Sequence, residues 1–307
     1  MNVKATSGAG REAAVGDQPG AGAAEESAPT TESESRAAAT AATAAAHGTA
    51  RRRRTWTSYI PPQHGAWAFL VVPLAVGFTT VSFSWVALLF GAAWIVAYPV
   101  GYFGGRALAT RIRRGSWTRL ARREAGRAVP WAVALAVLGV PLVVLRPWLV
   151  AVAVVVATIW GVSLLITLRE SERALSNDVV LVVLSMVAVP TVWAISVAEP
   201  GGWPELPPLP VAVGWATAAT GVFLFGTVLH VRSLLREAGN RRFHWLSVGY
   251  HVVALVGFAL VTPWWVVGFT PALVRAVALR PGLRPAVIGA IESVMSLFFV
   301  IAAVLAG

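Results

Sequence analysis

Residues 119–173 read RLARREAGR, then AVPWAVALAVLGVPLVVL, then Arg146 alone, then PWLVAVAVVVATIWGVSLLIT, and finally LRESER. The two apolar runs, 128–145 and 147–167, each approach the roughly 20 residues that a helix needs to cross the hydrocarbon core of a bilayer. Neither run alternates polar with apolar residues as a strand would, and a helix satisfies its own backbone hydrogen bonds in lipid. The stretch therefore predicts two consecutive transmembrane helices with arginines clustered at their far ends.

The same alternation of apolar run and short polar gap continues from residue 66 to the C-terminus. Charged residues make up only 13% of the chain, against about 25% in soluble domains, so we predict an integral membrane protein. The fold class is all-α, a polytopic membrane helix bundle of about nine transmembrane helices. The predicted spans are 66–82, 84–103, 128–145, 147–167, 179–197, 211–231, 246–262, 263–279 and 285–306. Only Pro263 and two tryptophans divide the seventh span from the eighth, so whether both cross fully is left open.

The arginines fall in alternate gaps between these spans. Of 25 Lys and Arg residues, 21 occupy positions that would share one side of the membrane, and only Arg146 lies in a gap on the other side. The positive-inside rule then predicts a cell-membrane protein with a cytoplasmic N-terminus, nine spans and an outside C-terminus. The same distribution explains the +11 charge without nucleic acid as a partner. The predicted partners are the lipid bilayer and an anionic lipid or amphipathic small molecule.

The first part of the chain has a different composition. It is rich in Ala, Gly, Ser, Thr and Glu, with almost no large apolar side chains, and cannot bury enough apolar area to offset the entropy of ordering. We predict a disordered tail over 1–55 and a single transmembrane domain over 56–307. The chain has no cysteine, which excludes disulfides and thiolate chemistry.

Three polar segments lie at predicted inner ends of spans. Gln63 and His64 precede the first span, either as an interfacial helix start or as part of a site. The residues before the fifth span suit helix capping and a site equally well. At the end of the sixth span, helical spacing puts Thr227, His230 and Leu234 on one face. The candidate ligand-binding residues are Gln63, His64, Glu172, Arg173, Asn177, Asp178, His230, Arg232, Arg236 and Asn240.

Two further polar residues fall within apolar spans. Glu292 is a functional candidate because an acid is costly inside a membrane, and an inner-loop arginine could be its partner. The alternative is a simple inter-helix hydrogen-bonding group. His251 is expected to be a helix-packing residue. We predict no metal site, since Asp178 is the only aspartate outside the tail and a magnesium–diphosphate site needs several carboxylates. Cofactors and catalytic residues remain unknown.

Three motifs resemble those of the YwiC-like family of bacterial multi-pass membrane proteins. They are QHGAWA at 63–68 ahead of Pro73, SERALSND at 171–178, and the segment from GTVLHVRS at 226–233 to GNRR at 239–242. The family implies a membrane class but no reaction. More weakly, nine helices with polar inner loops after the second and sixth spans resemble the UbiA-type prenyltransferases. Their aspartate-rich magnesium motifs are absent from this chain, so whether it is an enzyme is left open.

These observations leave three functions to compare. The first is binding or processing of an amphipathic ligand with an anionic head group, in a cytoplasm-facing cavity lined by His64, Asn177, Asp178, His230, Arg232 and Arg236. Arginine forks suit phosphate or carboxylate without a metal. The alternatives are a transporter or permease, which predicts polar residues near mid-membrane, and a non-catalytic membrane assembly factor whose arginines contact lipid or a soluble partner.

Overall fold

The computed structural model describes residues 36, 39–40, 58–62, 66–170, 174–199 and 208–307. From residue 57 onward, helices account for the regular structure in these ranges, and no strand occurs in them. The helices are α1 (Ala66–Thr79), α2 (Trp85–Arg114), α3 (Arg119–Leu145), α4 (Leu149–Arg169), α5 (Leu175–Met186), α6 (Ala188–Val197), α7 (Val211–Leu235), α8 (Arg241–Ala259), α9 (Trp265–Ala278) and α10 (Pro285–Ala306). The predicted disordered tail falls almost wholly outside the described residues and stays a prediction.

Each predicted span corresponds to one helix, except the fifth, which corresponds to two. The predicted all-α bundle is confirmed. Six helical segments in the described ranges are long and apolar enough to cross a membrane, with α5 and α6 together counted as one. Helices α1 and α9 are apolar but have only 14 residues each, about 21 Å at 1.5 Å per residue. They are therefore shorter than the roughly 30 Å hydrocarbon core. The protein is a multi-pass membrane protein.

The fifth predicted span is divided into two helices at Val187. Pro190 explains the division, because proline has no N–H to donate to the carbonyl of Met186 and its ring crowds that carbonyl. The Val187 carbonyl accepts from both the backbone N–H and the hydroxyl of Thr191. The two helices together still form one candidate span, Leu175–Val197.

The arginine-rich segment after the second span is mostly helical, where a longer loop was expected. Helix α2 continues to Arg114 and α3 begins at Arg119, so the connection is only four residues long. Gly115 ends α2 with φ of 68°, and the Thr118 hydroxyl caps α3 by accepting from Ala121 N at 3.2 Å. Most of these arginines therefore have fixed positions on two packed helices.

The most buried part of the bundle is formed by α1, α6 and α7. Val76, Val189 and Ile195 are fully buried, and Leu224 of α7 joins them. Aromatic rings extend this core toward α10, where Phe223 stacks on Phe299 with centroids 4.3 Å apart. Helices α3 and α4 lie at the periphery and present rows of exposed valines, the side chains expected to face lipid.

Candidate functional site

The structure describes six of the ten predicted ligand-binding residues. Gln63, His64, Glu172 and Arg173 lie outside the described residues, so their placement stays a prediction. Three of the other six, Asp178, Arg232 and Arg236, come together between α5 and α7. The remaining three, Asn177, His230 and Asn240, make different contacts.

Asp178 holds two guanidinium groups. Its Oδ2 lies 3.3 Å from Nη1 of Arg232 and 3.3 Å from Nη1 of Arg236. The two arginines are four residues apart and so share one face of α7, while Asp178 is in the first turn of α5. Among the described residues, two guanidinium groups thus meet on one carboxylate. The Arg236 side chain keeps 39% of its surface exposed, so its guanidinium is accessible to solvent at the end of α7.

Asn177 points to a different helix from its neighbour Asp178. Its Oδ1 accepts a hydrogen bond from the Ser163 hydroxyl of α4 at 2.6 Å, and both residues are buried. Ser176 donates to Glu170 at 2.8 Å. The capping interpretation of this segment is wrong, because α5 is capped at Ala174 without a side-chain bond. The polar side chains instead connect α5 to α4 and α7.

Asn240 caps a helix. Its Oδ1 accepts from Phe243 N at 3.2 Å and its Nδ2 donates to Glu237 at 3.0 Å, which starts α8. The preceding Gly239 has φ of 89°, a conformation that favours glycine. Sequence analysis assigned Asn240 to a ligand site, but its side-chain amide is used in turning the chain from α7 into α8.

His230 does not join Arg232 and Arg236. Two residues along a helix are about 200° apart around its axis, so His230 and Arg232 project to opposite sides of α7. The His230 ring is 1% exposed and packs edge-on against His251 of α8, with centroids 6.4 Å apart. The single cavity predicted to hold both His230 and the two arginines is therefore divided by α7 itself.

A buried ion pair lies on the His230 side of α7. Arg275 of α9 pairs with Glu292 of α10, and its Nη2 donates to the Thr227 hydroxyl at 3.3 Å. Arg275 is 4% exposed and Glu292 is 6% exposed. The expectation that Glu292 pairs with an arginine is thus met, but Arg275 is a buried residue of helix α9, whereas the sequence placed it among the loop arginines.

Two imidazoles add unsatisfied polar atoms to this polar cluster, which we define as Thr227, His230, Ser247, His251, Arg275 and Glu292. His251 Nδ1 lies 2.7 Å from the Ser247 carbonyl, and because a carbonyl can only accept, that nitrogen carries the proton. Within the described part of the chain, His251 Nε2 and both ring nitrogens of His230 have no hydrogen-bond partner. Four helices thus bring ionisable and polar groups together inside the bundle.

The polar cluster lies inward from the helix ends that carry most arginines. Glu292 is seven residues into α10 and His230 is five residues from the end of α7, or roughly 8–10 Å at 1.5 Å per residue. The sequence does not reveal the cluster as a unit, because its members come from four spans. One indication was present: Arg275 lies inside the eighth predicted span, whereas Arg280 and Arg284 follow that span. Among the described residues, no three His, Asp or Glu side chains are grouped so as to hold a metal.

Comparison with known proteins finds similarity to one family. A family model described as YwiC-like protein matches residues 60–192. The chain is 26% identical over 250 residues to a Bacillus subtilis (strain 168) protein described as uncharacterized protein YwiC, which covers 78% of this chain and 94% of that protein. It is 33% identical over 90 residues to an uncharacterized protein of Haemophilus influenzae, covering 28% of this chain and 38% of that one. No solved structure matches the chain, so the UbiA-type arrangement stays a prediction.

Proposed function

We propose that this chain, which is similar to the YwiC-like family, binds an amphipathic ligand with an anionic head group at the site of Asp178, Arg232 and Arg236. The observation that carries the proposal is the convergence of two guanidinium groups on one side of α7, where both meet the Asp178 carboxylate. A guanidinium has five N–H donors in a planar fork that matches phosphate and carboxylate. Val179 and Leu235, which adjoin Asp178 and Arg236 in the chain, are exposed apolar side chains, and such side chains suit the rest of an amphipathic ligand.

The ligand proposal predicts opposite effects for two substitutions. Arg236→Gln removes a charged donor from the anion, and a hydrogen bond to a charged group contributes about 1.5–3 kcal/mol, so binding of dodecyl phosphate should weaken roughly tenfold or more. Asp178→Asn removes the competing carboxylate and should strengthen binding. The measurement is calorimetric titration of the purified full chain in a neutral detergent.

The matched control is Arg284→Gln, which removes an exposed arginine from the start of α10 and should leave the affinity unchanged. An ion pair that only joins α5 to α7 would behave differently. In that case both site variants would lower the unfolding temperature, and neither would change the affinity for dodecyl phosphate. Equal affinities in wild type and Arg236→Gln would refute the proposal.

We also propose that the N-terminus is cytoplasmic and the C-terminus is outside. The support is the distribution of arginines, most of which follow the second, fourth, sixth and eighth spans. Because the chain has no cysteine, single introduced cysteines give labelling without background. A membrane-impermeant maleimide added to intact cells should label Phe83→Cys, between α1 and α2, and should not label Ser116→Cys, between α2 and α3. The reverse pattern would invert the orientation.

A second candidate function, transport, is favoured by the polar cluster. Ionisable residues inside a membrane are rare and often mark the path of a proton, ion or substrate. A transporter must open such a cluster to water in one of its states, so Thr227→Cys should react with an impermeant maleimide in reconstituted vesicles. The control is Ala219→Cys, which is also buried in α7 and should stay unreactive. Complete protection of Thr227→Cys would count against transport.

A further inference from the structure

A pocket of about 320 Å³ lies at the arginine-rich ends of α2 and α3, separate from the polar groups described so far. Its volume is at the lower end of the range for small-molecule sites. One wall is the segment 58–62 that precedes α1, held against α3 by Trp131 Nε1, which donates to the Tyr59 carbonyl at 2.9 Å. The lining residues are Ser58, Ile60, Pro62, Tyr102, Phe103, Arg106, Glu124 and Arg127.

The polar side of the pocket is organised around Glu124. This residue is 4% exposed and is the one acid between Glu34 and Glu170 in the sequence. Its carboxylate is 2.8 Å from Nη1 of Arg127 and 3.9 Å from Nε of Arg106. The Glu124 carboxylate thus contacts both guanidinium groups, and Arg127 more closely. Among the described lining residues, two arginines and one glutamate give a formal charge of +1.

Arg106 lies against an aromatic ring. Its Cζ lies 5.5 Å from the centroid of Tyr102, within cation–π range. Its side chain is 39% exposed, so the guanidinium is reachable from outside. Arg127 lies 5.9 Å from the ring of Phe103 in the same way. The two rings, with Ile60 and Pro62, make the remaining surface apolar.

The pocket is placed where a lipid head group would lie. Arg106 is twenty-one residues along α2 from Trp85, about 32 Å at 1.5 Å per residue, which is close to the thickness of the hydrocarbon core. Trp85 is exposed at the other end of the helix, as expected of an interfacial anchor. Arg106 therefore lies near the boundary between acyl chains and head groups.

We propose that this pocket is a second binding site, which takes the phosphate group of an anionic membrane lipid on Arg106 and the first part of its acyl chains on Ile60, Tyr102 and Phe103. Arg127 and Glu124 are positioning residues, because Arg127 holds the Glu124 carboxylate in place and that carboxylate also pairs with Arg106. The site is independent of Asp178, Arg232 and Arg236, which lie on α5 and α7.

The test is calorimetric titration of the full chain in neutral detergent with dihexanoyl-phosphatidylglycerol and, separately, with inorganic phosphate. All titrations are made with protein that also carries Arg236→Gln, which weakens binding at the site of Asp178, Arg232 and Arg236. Binding that remains is then due to the pocket, so the two proposals can fail separately. We expect phosphatidylglycerol to bind, and Arg106→Gln to weaken it roughly tenfold or more through loss of a charged donor. Arg106→Lys should recover part of the affinity, because the charge returns without the fork.

Ile60→Glu provides a variant that leaves the Glu124 pair intact. Ile60 is about half exposed, so the substitution should not disturb folding, but it places a negative charge and a polar group where the acyl chains would lie. Loss of phosphatidylglycerol binding in this variant supports the proposal. Unchanged binding in both Arg106→Gln and Ile60→Glu overturns it. Equal affinities for inorganic phosphate and phosphatidylglycerol overturn the assignment to a lipid.

Discussion

Glu292→Leu is expected to reduce sharply the amount of folded protein. The substitution leaves Arg275 buried in α9 without its counter-charge, and breaking a buried ion pair on one side costs about 3–5 kcal/mol. That is a large fraction of the roughly 5–15 kcal/mol by which a native domain is stable. The measurement is the monodisperse fraction in size-exclusion chromatography of a fluorescent fusion, together with its unfolding temperature in detergent.

The double variant Arg275→Met, Glu292→Leu tests the cause. Removing both charges leaves no uncompensated ion, and replacing a buried pair by apolar side chains of similar volume is often neutral or stabilising. We therefore expect the double variant to recover most of the folded fraction that the single variant loses. If it is as unstable as Glu292→Leu, packing around α10 is responsible and the ion pair is not. If the double variant folds, transport can also be tested in a protein that lacks the Arg275–Glu292 ion pair.

Gly268→Val is expected to destabilise the contact between α9 and α10. A Cβ at Gly268 would lie 3.1 Å from the Cα of Phe299 and 3.1 Å from the Cβ of Ala302. Backbone and Cβ atoms cannot rotate away, so the two helices must separate and disturb the aromatic stack of Trp265 on Phe299. Overpacking of this kind typically costs 1–3 kcal/mol. The unfolding temperature in detergent should fall accordingly.

Gly257→Val is the matched control for this prediction. Gly257 lies in α8, is exposed on the bundle surface, and a Cβ there would meet no atom within 4 Å. The same change of residue should therefore leave the unfolding temperature close to that of wild type. Equal losses in the two variants would indicate that helix propensity dominates and that the close approach at Gly268 is not the cause.

Local sequence patterns predicted the helices well because each depends on a short stretch of chain. The apolar runs before and after Arg146 became α3 and α4, and the run from Pro285 to Ala306 became α10 with the bounds expected. The errors arose where a local rule was applied to a residue whose neighbours are distant. Asn177 looked like a helix cap, but its partner is Ser163 on another helix.

The candidate site could be predicted only in part. Arg232 and Arg236, at the end of the sixth predicted span, were among the predicted ligand-binding residues, but the helical spacing was applied only to Thr227, His230 and Leu234. Their partner Asp178 was identified as a polar residue at the same membrane edge. The pairing itself requires α5 to pack on α7, and no property of either segment alone specifies that contact.

The sequence by itself determined that this chain forms a helical membrane protein, because the length and polarity of each apolar run decide whether a helix can exist in lipid. It also determined which runs end in arginine. Only the tertiary structure decided which polar groups meet. Helix α7 turns Arg232 toward Asp178 and His230 toward His251, and the packing of α9 on α10 buries Arg275 against Glu292. The physical reason is that side-chain partners depend on how helices rotate and pack, which is a property of the whole bundle.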